Sequence, residues 1–321
     1  MGRIALVLGA GGVAGGAFHA GVLSALADET GWDPRHADLI VGTSAGSITG
    51  SSLRAGLSAS DMLARAQDRP LSKEGQQLTQ RMGAVPPFPE LRSNRDLRPA
   101  GELLETLGHA FRNPLAARPL ALMAALAPEG SIDTSLISST IAALVPLAWP
   151  ADPLWLCAVR QSDGRRVVFG RDDRTTPVPT AVAASCAIPG FFRPVEIDDD
   201  AYLDGGVHSP TNADLALELE DVDLVIVSSP MSRDGVTPRV AIDQPMRAWA
   251  GTLLDREVRR LRKAGRTVVR FQPDAKVLEA VGVNAMDPAR RSPVATAAYG
   301  STLARLQRPD VADRLAALRA A

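Results

Sequence analysis

The sequence is poor in cysteine, in net charge and in long apolar runs, and each shortage excludes a class of protein. Only Cys157 and Cys186 occur among 321 residues, too few for a disulfide framework or a cysteine-rich zinc site. The formal net charge of −1 provides no overall basic field to attract nucleic acid. No run reaches the length of a membrane-spanning helix, and the apolar run at residues 4–8 is too short for a signal peptide. These shortages predict a soluble, intracellular protein without a nucleic-acid partner.

Short apolar runs alternate with helical patterns near the start of the chain, as is typical of an α/β fold. The pattern predicts a buried strand at residues 3–8, a glycine-rich loop at 9–16 and a helix at 17–26. A second strand at 38–41 and a small-residue helix at 47–57 follow in the same order. With 45% hydrophobic and 22% charged residues, the composition is that of an ordinary globular protein.

A proline-rich stretch, about residues 68–135, interrupts this rhythm and predicts a helical cap inserted into a single domain of residues 1–321. Beyond it, the pattern predicts a hairpin around Asp163-Gly164 and a small-residue helix at 181–187. Further buried strands are predicted at 224–228 and 267–271. The helix between them has an apolar stripe that is interpreted as core packing, formed by Met246, Trp249, Ala250, Leu253, Leu254, Val258 and Leu261.

The first candidate for chemistry is Gly42-Thr43-Ser44-Ala45-Gly46, which matches the G-x-S-x-G nucleophile elbow. Glycines flank the serine because the turn from strand to helix is tight and side chains would clash there. The serine then lies at a helix N-terminus, where N–H groups and the helix dipole favour developing negative charge. The motif follows an apolar strand and precedes a small-residue helix, which is the context that a nucleophile elbow requires.

The second candidate is the glycine-rich loop at residues 9–16, which admits two interpretations. Gly9, Gly11 and Ala14 fit the G-x-G-x-x-G/A dinucleotide fingerprint. That interpretation needs an acidic residue at the end of the next strand, and the predicted strand ends at Val41 without one. The alternative is an oxyanion hole, in which backbone N–H groups point at a carbonyl oxygen that becomes negative.

An activated serine needs a base, and the sequence offers few. Of the four histidines, only His208 is a plausible member of a triad, but it follows Asp204 by four residues, an unusual spacing for an acid and a base. The tripeptide Asp204-Gly205-Gly206 is by itself compatible with an ordinary turn. The pattern favours a serine paired directly with an aspartate and leaves the histidine alternative open.

Taken in order, these motifs resemble the patatin-like phospholipase family. The likeness rests on the glycine loop at 9–16, the Ser44 motif and the Asp204 motif, and it covers roughly residues 3–230. The stretch at 183–190, Ala-Ala-Ser-Cys-Ala-Ile-Pro-Gly, is similar to a fourth motif of the family. Each motif is modest, whereas four in this order are specific.

The resemblance implies a three-layer α/β/α sandwich with a central, mostly parallel sheet and a Ser–Asp dyad. Ser44 would be the nucleophile and Asp204 the base, and the reaction would pass through an acyl-enzyme on Ser44. The resemblance implies neither a metal nor a cofactor. The other residues that it implicates are the oxyanion donors Gly11, Gly12 and Val13, and the motif-supporting glycines Gly42, Gly46, Gly205 and Gly206.

The implied substrate is a lipid or another acyl ester. The expected location of the protein is the cytoplasm. The apolar residues 115–127 permit peripheral membrane contact, although a core or cap helix is the simpler interpretation. One departure concerns Gly15, which stands where the family usually carries arginine or lysine. This departure motivates an alternative hypothesis, a catalytically silent lipid-binding or regulatory protein, whereas the presence of both Ser44 and Asp204 favours a hydrolase.

Overall fold

The computed structural model describes residues 2–80, 130, 132–235 and 243–320. Among these residues, eight strands form one sheet. The strands are β1 (Arg3–Leu8), β2 (Leu39–Thr43), β3 (Leu154–Arg160), β4 (Arg166–Phe169), β5 (Val195–Ile197), β6 (Asp200–Asp204), β7 (Val222–Ser228) and β8 (Thr267–Phe271). The strand order is β5-β6-β3-β2-β1-β7-β8, and β4 pairs with β3. The pairs β1–β2, β1–β7, β2–β3 and β7–β8 are parallel, whereas β3–β4, β3–β6 and β5–β6 are antiparallel.

Helices cover both faces of this sheet. In the described residues they are α1 (Gly12–Thr30), α2 (Ala45–Arg54), α3 (Ala59–Ala66), α4 (Lys73–Thr79), α5 (Ser135–Leu144), α6 (Val178–Ser185), α7 (Gln244–Lys263), α8 (Ala275–Val281), α9 (Arg291–Leu306) and α10 (Pro309–Ala312). Short 3-10 segments lie at Pro34–His36, Gly205–Val207, Ala213–Leu217, Pro288–Arg290 and Asp313–Ala320. No helix in these described ranges combines the length and apolarity needed to cross a membrane.

Alternate residues of each central strand enter two different hydrophobic cores. On β1, Leu6 and Leu8 pack with residues of α1, α2, α6 and α9. Ala5 and Val7 face the opposite side, where they pack with α7 and the segment Ala213–Leu217. Burial on both faces explains why β1 reads as a continuous apolar run rather than an alternating one. The predicted three-layer fold with a mostly parallel central sheet is therefore confirmed.

Helix α1 begins earlier than predicted, at Gly12 rather than at residue 17, so the predicted loop at 9–16 is wrong over most of its length. Glycine lowers helix propensity, but tertiary contacts outweigh that preference here. The Ala14 N–H donates to the carbonyl of Ala285 at 2.8 Å, and the Gly15 N–H donates to the carbonyl of Gly11 at 2.8 Å. The glycines thus form the first turn of a buried helix.

The apolar stripe on α7 is only partly buried, which corrects the prediction that it packs in the core. Ala250, Leu254, Val258 and Leu261 are buried as expected, whereas Met246 is 46% exposed. Most of the predicted cap at 68–135, including residues 115–127, lies outside the described residues. The cap and the single domain over 1–321 remain predictions.

Candidate active site

Ser44 occupies the turn between β2 and α2 in a backbone conformation that few residues other than glycine adopt. Its φ is 53° and its ψ is −120°, and its relative exposure is 4%. Such strain persists only where the surrounding structure holds it. The Ser44 N–H donates to the Ser185 hydroxyl at 3.0 Å, and that hydroxyl donates to the carbonyl of Cys157 at 2.6 Å. Ser185 of helix α6 therefore connects the Ser44 turn to β3 through two hydrogen bonds.

The two glycines of the serine motif are required by close backbone contacts. A β-carbon at Gly46 would lie 1.9 Å from the carbonyl oxygen of Leu8. At Gly42 it would lie 2.7 Å from the α-carbon of Ser47. Neither contact involves a flexible side chain that can move away. The glycines therefore permit α2 to approach the end of β1, as the sequence motif predicts.

The arrangement of strands around β3 explains how Asp204 reaches Ser44. Cys157 pairs with Thr43 of β2, and the next residue, Ala158, pairs with Asp204 of β6. Both residues also pair with β4, which occupies the other edge of β3. Strands β2 and β6 therefore share one edge of β3 and run toward each other. Their carboxyl ends meet head to head, and those ends carry the serine and the aspartate.

The Asp204 carboxylate is buried and lines one cavity together with Ser44, whose hydroxyl favours the ionised carboxylate. The Gly206 N–H donates to Asp204 Oδ1 at 2.7 Å. Burial raises the Asp204 pKa from 3.8 to about 6, although the Ser44 hydroxyl and the Gly206 N–H oppose the rise. A β-carbon at Gly205 would lie 2.3 Å from the carbonyl oxygen of Cys157, so glycine is required there too. The arrangement can accept a proton from the serine near neutral pH.

Gly11, Gly12 and Val13 carry the N–H groups at the start of α1, and each of these residues lines a cavity that Ser44 also lines. The first N–H groups of a helix have no partner within it. In the described part of the chain, these three donate to no other acceptor either. Gly12 has a φ of 62°, and a β-carbon there would lie 2.3 Å from Met286 Sδ. The free donors and the helix dipole suit an anion that forms next to Ser44.

The His19 ring forms hydrogen bonds with Gly9 and Ser228 and is therefore not placed to act on Ser44. Its Nε2 lies 2.8 Å from the carbonyl of Gly9, and its Nδ1 lies 2.8 Å from the hydroxyl of Ser228. Because a carbonyl only accepts, Nε2 carries the proton and Nδ1 accepts from the serine. Burial lowers the His19 pKa to about 4, so the ring is neutral at physiological pH.

Two cavities open at Ser44. The first, named here the α2 cavity, measures about 310 Å³ and is lined by residues of α1, α2, α3 and α5. The second, named the Asp204 cavity, measures about 460 Å³ and is lined by Gly11, Asp204 and Gly206 together with residues of α7. Gly12, Ser44, Ile188 and Met286 line both. Among their described lining residues there is no histidine, so His208 borders neither.

A buried polar network that the sequence analysis missed holds the serine and aspartate loops together. Asn212 Nδ2 donates to Thr43 Oγ1 at 3.0 Å and to the carbonyl of Ser209 at 2.7 Å. Asn212 is fully buried and has a left-handed backbone, with a φ of 52°. The Glu257 carboxylate on α7 accepts hydrogen bonds from the Ser209 and Thr211 hydroxyls, both at 2.6 Å. Asn212 thus connects the residue before Ser44 to the segment after Asp204.

We expect Asn212→Ala to lower kcat roughly 10²-fold with a small change in KM, because a small displacement of reacting groups is that costly. Thr43→Val removes the acceptor of the same hydrogen bond, so the two changes are expected to be non-additive in a double-mutant cycle. The measurement is steady-state ester hydrolysis beside thermal unfolding. A lower Tm with unchanged kcat below the melting range would show that Asn212 only stabilises the fold.

Comparisons with known proteins add the following findings. The model of a family described as patatin-like phospholipase matches residues 6–217. The chain is similar to the crystal structure of VipD from Legionella pneumophila, with a TM-score of 0.42 and 14% identity over 95% of this chain and 66% of that one. It is also similar to the type III effector ExoU, with a TM-score of 0.40 and 16% identity over 96% of this chain and 53% of that one. The chain thus spans less than two thirds of the length of ExoU and just under two thirds of that of VipD. No curated protein matches the sequence.

Proposed function

This chain belongs to the patatin-like phospholipase family, and we propose that it is a serine acyl hydrolase of lipid esters that uses Ser44 and Asp204. The observation that carries the proposal is that Ser44 shares one cavity with the buried carboxylate of Asp204, whose pKa is raised to about 6. Nucleophile and base are in reach of each other, and the base is largely ionised at neutral pH.

In the proposed mechanism, Ser44 Oγ attacks the ester carbonyl while Asp204 accepts the hydroxyl proton. The carbonyl oxygen becomes negative and is stabilised by the N–H groups of Gly11, Gly12 and Val13. The intermediate then expels the alcohol, whose oxygen takes the proton from Asp204, and leaves an acyl ester on Ser44. Asp204 next accepts a proton from water, which attacks the acyl carbon. Release of the fatty acid returns the proton to Ser44.

The departure at Gly15 does not require loss of catalysis. Gly15 is buried, and a β-carbon there would already contact Ala45 at 3.4 Å and Pro230 at 3.5 Å. These are ordinary van der Waals distances, so packing at the β-carbon does not by itself require glycine here. The residues that the mechanism uses are all present, which favours the hydrolase over the silent lipid-binding alternative.

The test is hydrolysis of p-nitrophenyl acyl esters of several chain lengths by the wild-type protein, together with labelling by a fluorophosphonate. We expect turnover of at least one ester and a single label, located on Ser44 by peptide mass spectrometry. Folded protein that neither turns over an ester nor takes the label would contradict the proposal and favour the binding protein. A label on another serine would contradict the assignment of Ser44.

A further inference from the structure

We propose that the α2 cavity holds the acyl chain of the substrate and the Asp204 cavity holds the leaving alcohol, and that Gly16 sets the length of acyl chain that is accepted. The inference rests on the proposed hydrolase function. It assigns the two halves of the ester to two different spaces, because both cavities meet at Ser44.

Proton transfer determines which cavity holds the acyl chain and which holds the leaving alcohol. The group that accepts the Ser44 proton must hand it to the oxygen of the leaving alcohol, so this oxygen has to lie within hydrogen-bond reach of Asp204. Asp204 lines only the second of the two cavities. The alcohol therefore departs through the Asp204 cavity. The acyl carbon stays bonded to Ser44, and its chain extends to the other side.

The lining of the α2 cavity suits a hydrocarbon chain. Its apolar wall is built mainly by Ile48, Leu57, Met62, Ile137, Ile141 and Leu144. The charged residues in its described lining, Arg65 and Arg291, are both cations, so no carboxylate there can serve as a general acid. An acyl chain needs apolar surroundings and no proton donor, and the α2 cavity meets both conditions.

The Asp204 cavity contains charged groups of both signs and opens among exposed side chains. Arg247 and Asp243 line it and form an ion pair, with Arg247 Nε 2.6 Å from Asp243 Oδ2. At its apolar border, Met246 is 46% and Val283 93% exposed. Charged groups beside an apolar border match an alcohol that carries a polar head group.

Gly16 lies on helix α1 in the wall of the α2 cavity. Some helix glycines are required by packing. At Gly21, for example, a β-carbon would lie 2.4 Å from the carbonyl oxygen of Ala295. At Gly16 a β-carbon would meet nothing within 4 Å and the φ is not positive, so the fold does not require glycine. The empty space in front of Gly16 belongs to the α2 cavity.

The experiment compares kcat/KM for p-nitrophenyl butyrate and dodecanoate in wild type and Gly16→Leu. A leucine side chain fills the volume of about three methylene groups of the acyl chain. Each methylene group that can no longer bind lowers the affinity about fourfold. We expect the dodecanoate-to-butyrate ratio to fall about 10- to 100-fold. Gly300→Leu is the matched control, because Gly300 is exposed on α9, has no atom within 4 Å of a β-carbon and lines neither cavity. Its ratio should equal that of wild type.

A second variant, Met246→Trp, narrows the Asp204 cavity. It should alter the preference between p-nitrophenyl and bulkier alcohols without changing the ratio between chain lengths. An unchanged ratio in folded Gly16→Leu, including an equal fall for both esters, would overturn both the assignment of the cavities and the role of Gly16. A ratio that shifts in Met246→Trp instead would overturn the assignment of the cavities. A wild type that hydrolyses no ester would instead overturn the proposed function.

Discussion

Ser44→Ala is expected to lower kcat by roughly five to six orders of magnitude, the scale seen when a serine hydrolase loses its nucleophile. The variant has no atom that can form the acyl-enzyme, so the covalent route is closed. The fold should persist, since alanine can occupy the same turn and the Ser44 N–H still donates to Ser185. The measurement is ester hydrolysis together with fluorophosphonate labelling, which should disappear.

Ser51→Ala is the matched control for this change. Ser51 lies on α2, is buried, and its hydroxyl has no hydrogen-bond partner among the described residues. Removing that hydroxyl should leave kcat within a few fold of wild type. If Ser44→Ala keeps more than a small fraction of the activity while the protein is folded, Ser44 is not the nucleophile.

Asp204→Asn is expected to lower kcat by roughly three to four orders of magnitude, because asparagine has the same shape but cannot accept the serine proton. Asp200→Asn serves as control on the same strand, since Asp200 pairs with Arg160 at the surface, away from Ser44. His208→Ala tests the histidine alternative. If His208→Ala abolishes turnover and Asp204→Asn spares it, the dyad is wrong.

The same carboxylate should determine the pH profile of the wild type. The base acts only when ionised, and burial raises its pKa to about 6. We therefore expect kcat/KM to increase as the pH rises through about 6 and to level off above it. The residual activity of Asp204→Asn should lack this increase. A wild-type profile that is flat between pH 5 and 7 would show that Asp204 does not act as the base.

The sequence pattern was most reliable where a structure depends on neighbours along the chain. The predicted strand at 267–271 coincides with β8, and the hairpin around Asp163-Gly164 joins β3 and β4. The tight contacts at Gly42 and Gly46 agree with the serine motif. A buried strand, a short turn and a strand-to-helix elbow each have local residue requirements, which a single sequence displays.

Prediction was poorer where a residue's role depends on distant parts of the chain. The first turn of α1 is held by Ala285, more than 270 residues away, and local propensity gave no sign of it. Asn212 and Glu257 carry no motif that distinguishes them from surface polar residues, yet both are buried in one network. Met246 has the spacing of a core residue but borders a cavity. In each case the environment comes from another element.

The residue types and local backbone of the candidate site can be read from the chain itself. They include the serine at a strained turn, the aspartate before two glycines and a glycine-rich start of a helix, because short-range sterics select these residues. Only the tertiary structure joins them. Strands β2 and β6 meet on one edge of β3, and this pairing brings Ser44 and Asp204, 160 residues apart, to one cavity. The cavities and the raised pKa of Asp204 likewise depend on burial, which follows from packing of elements distant in sequence.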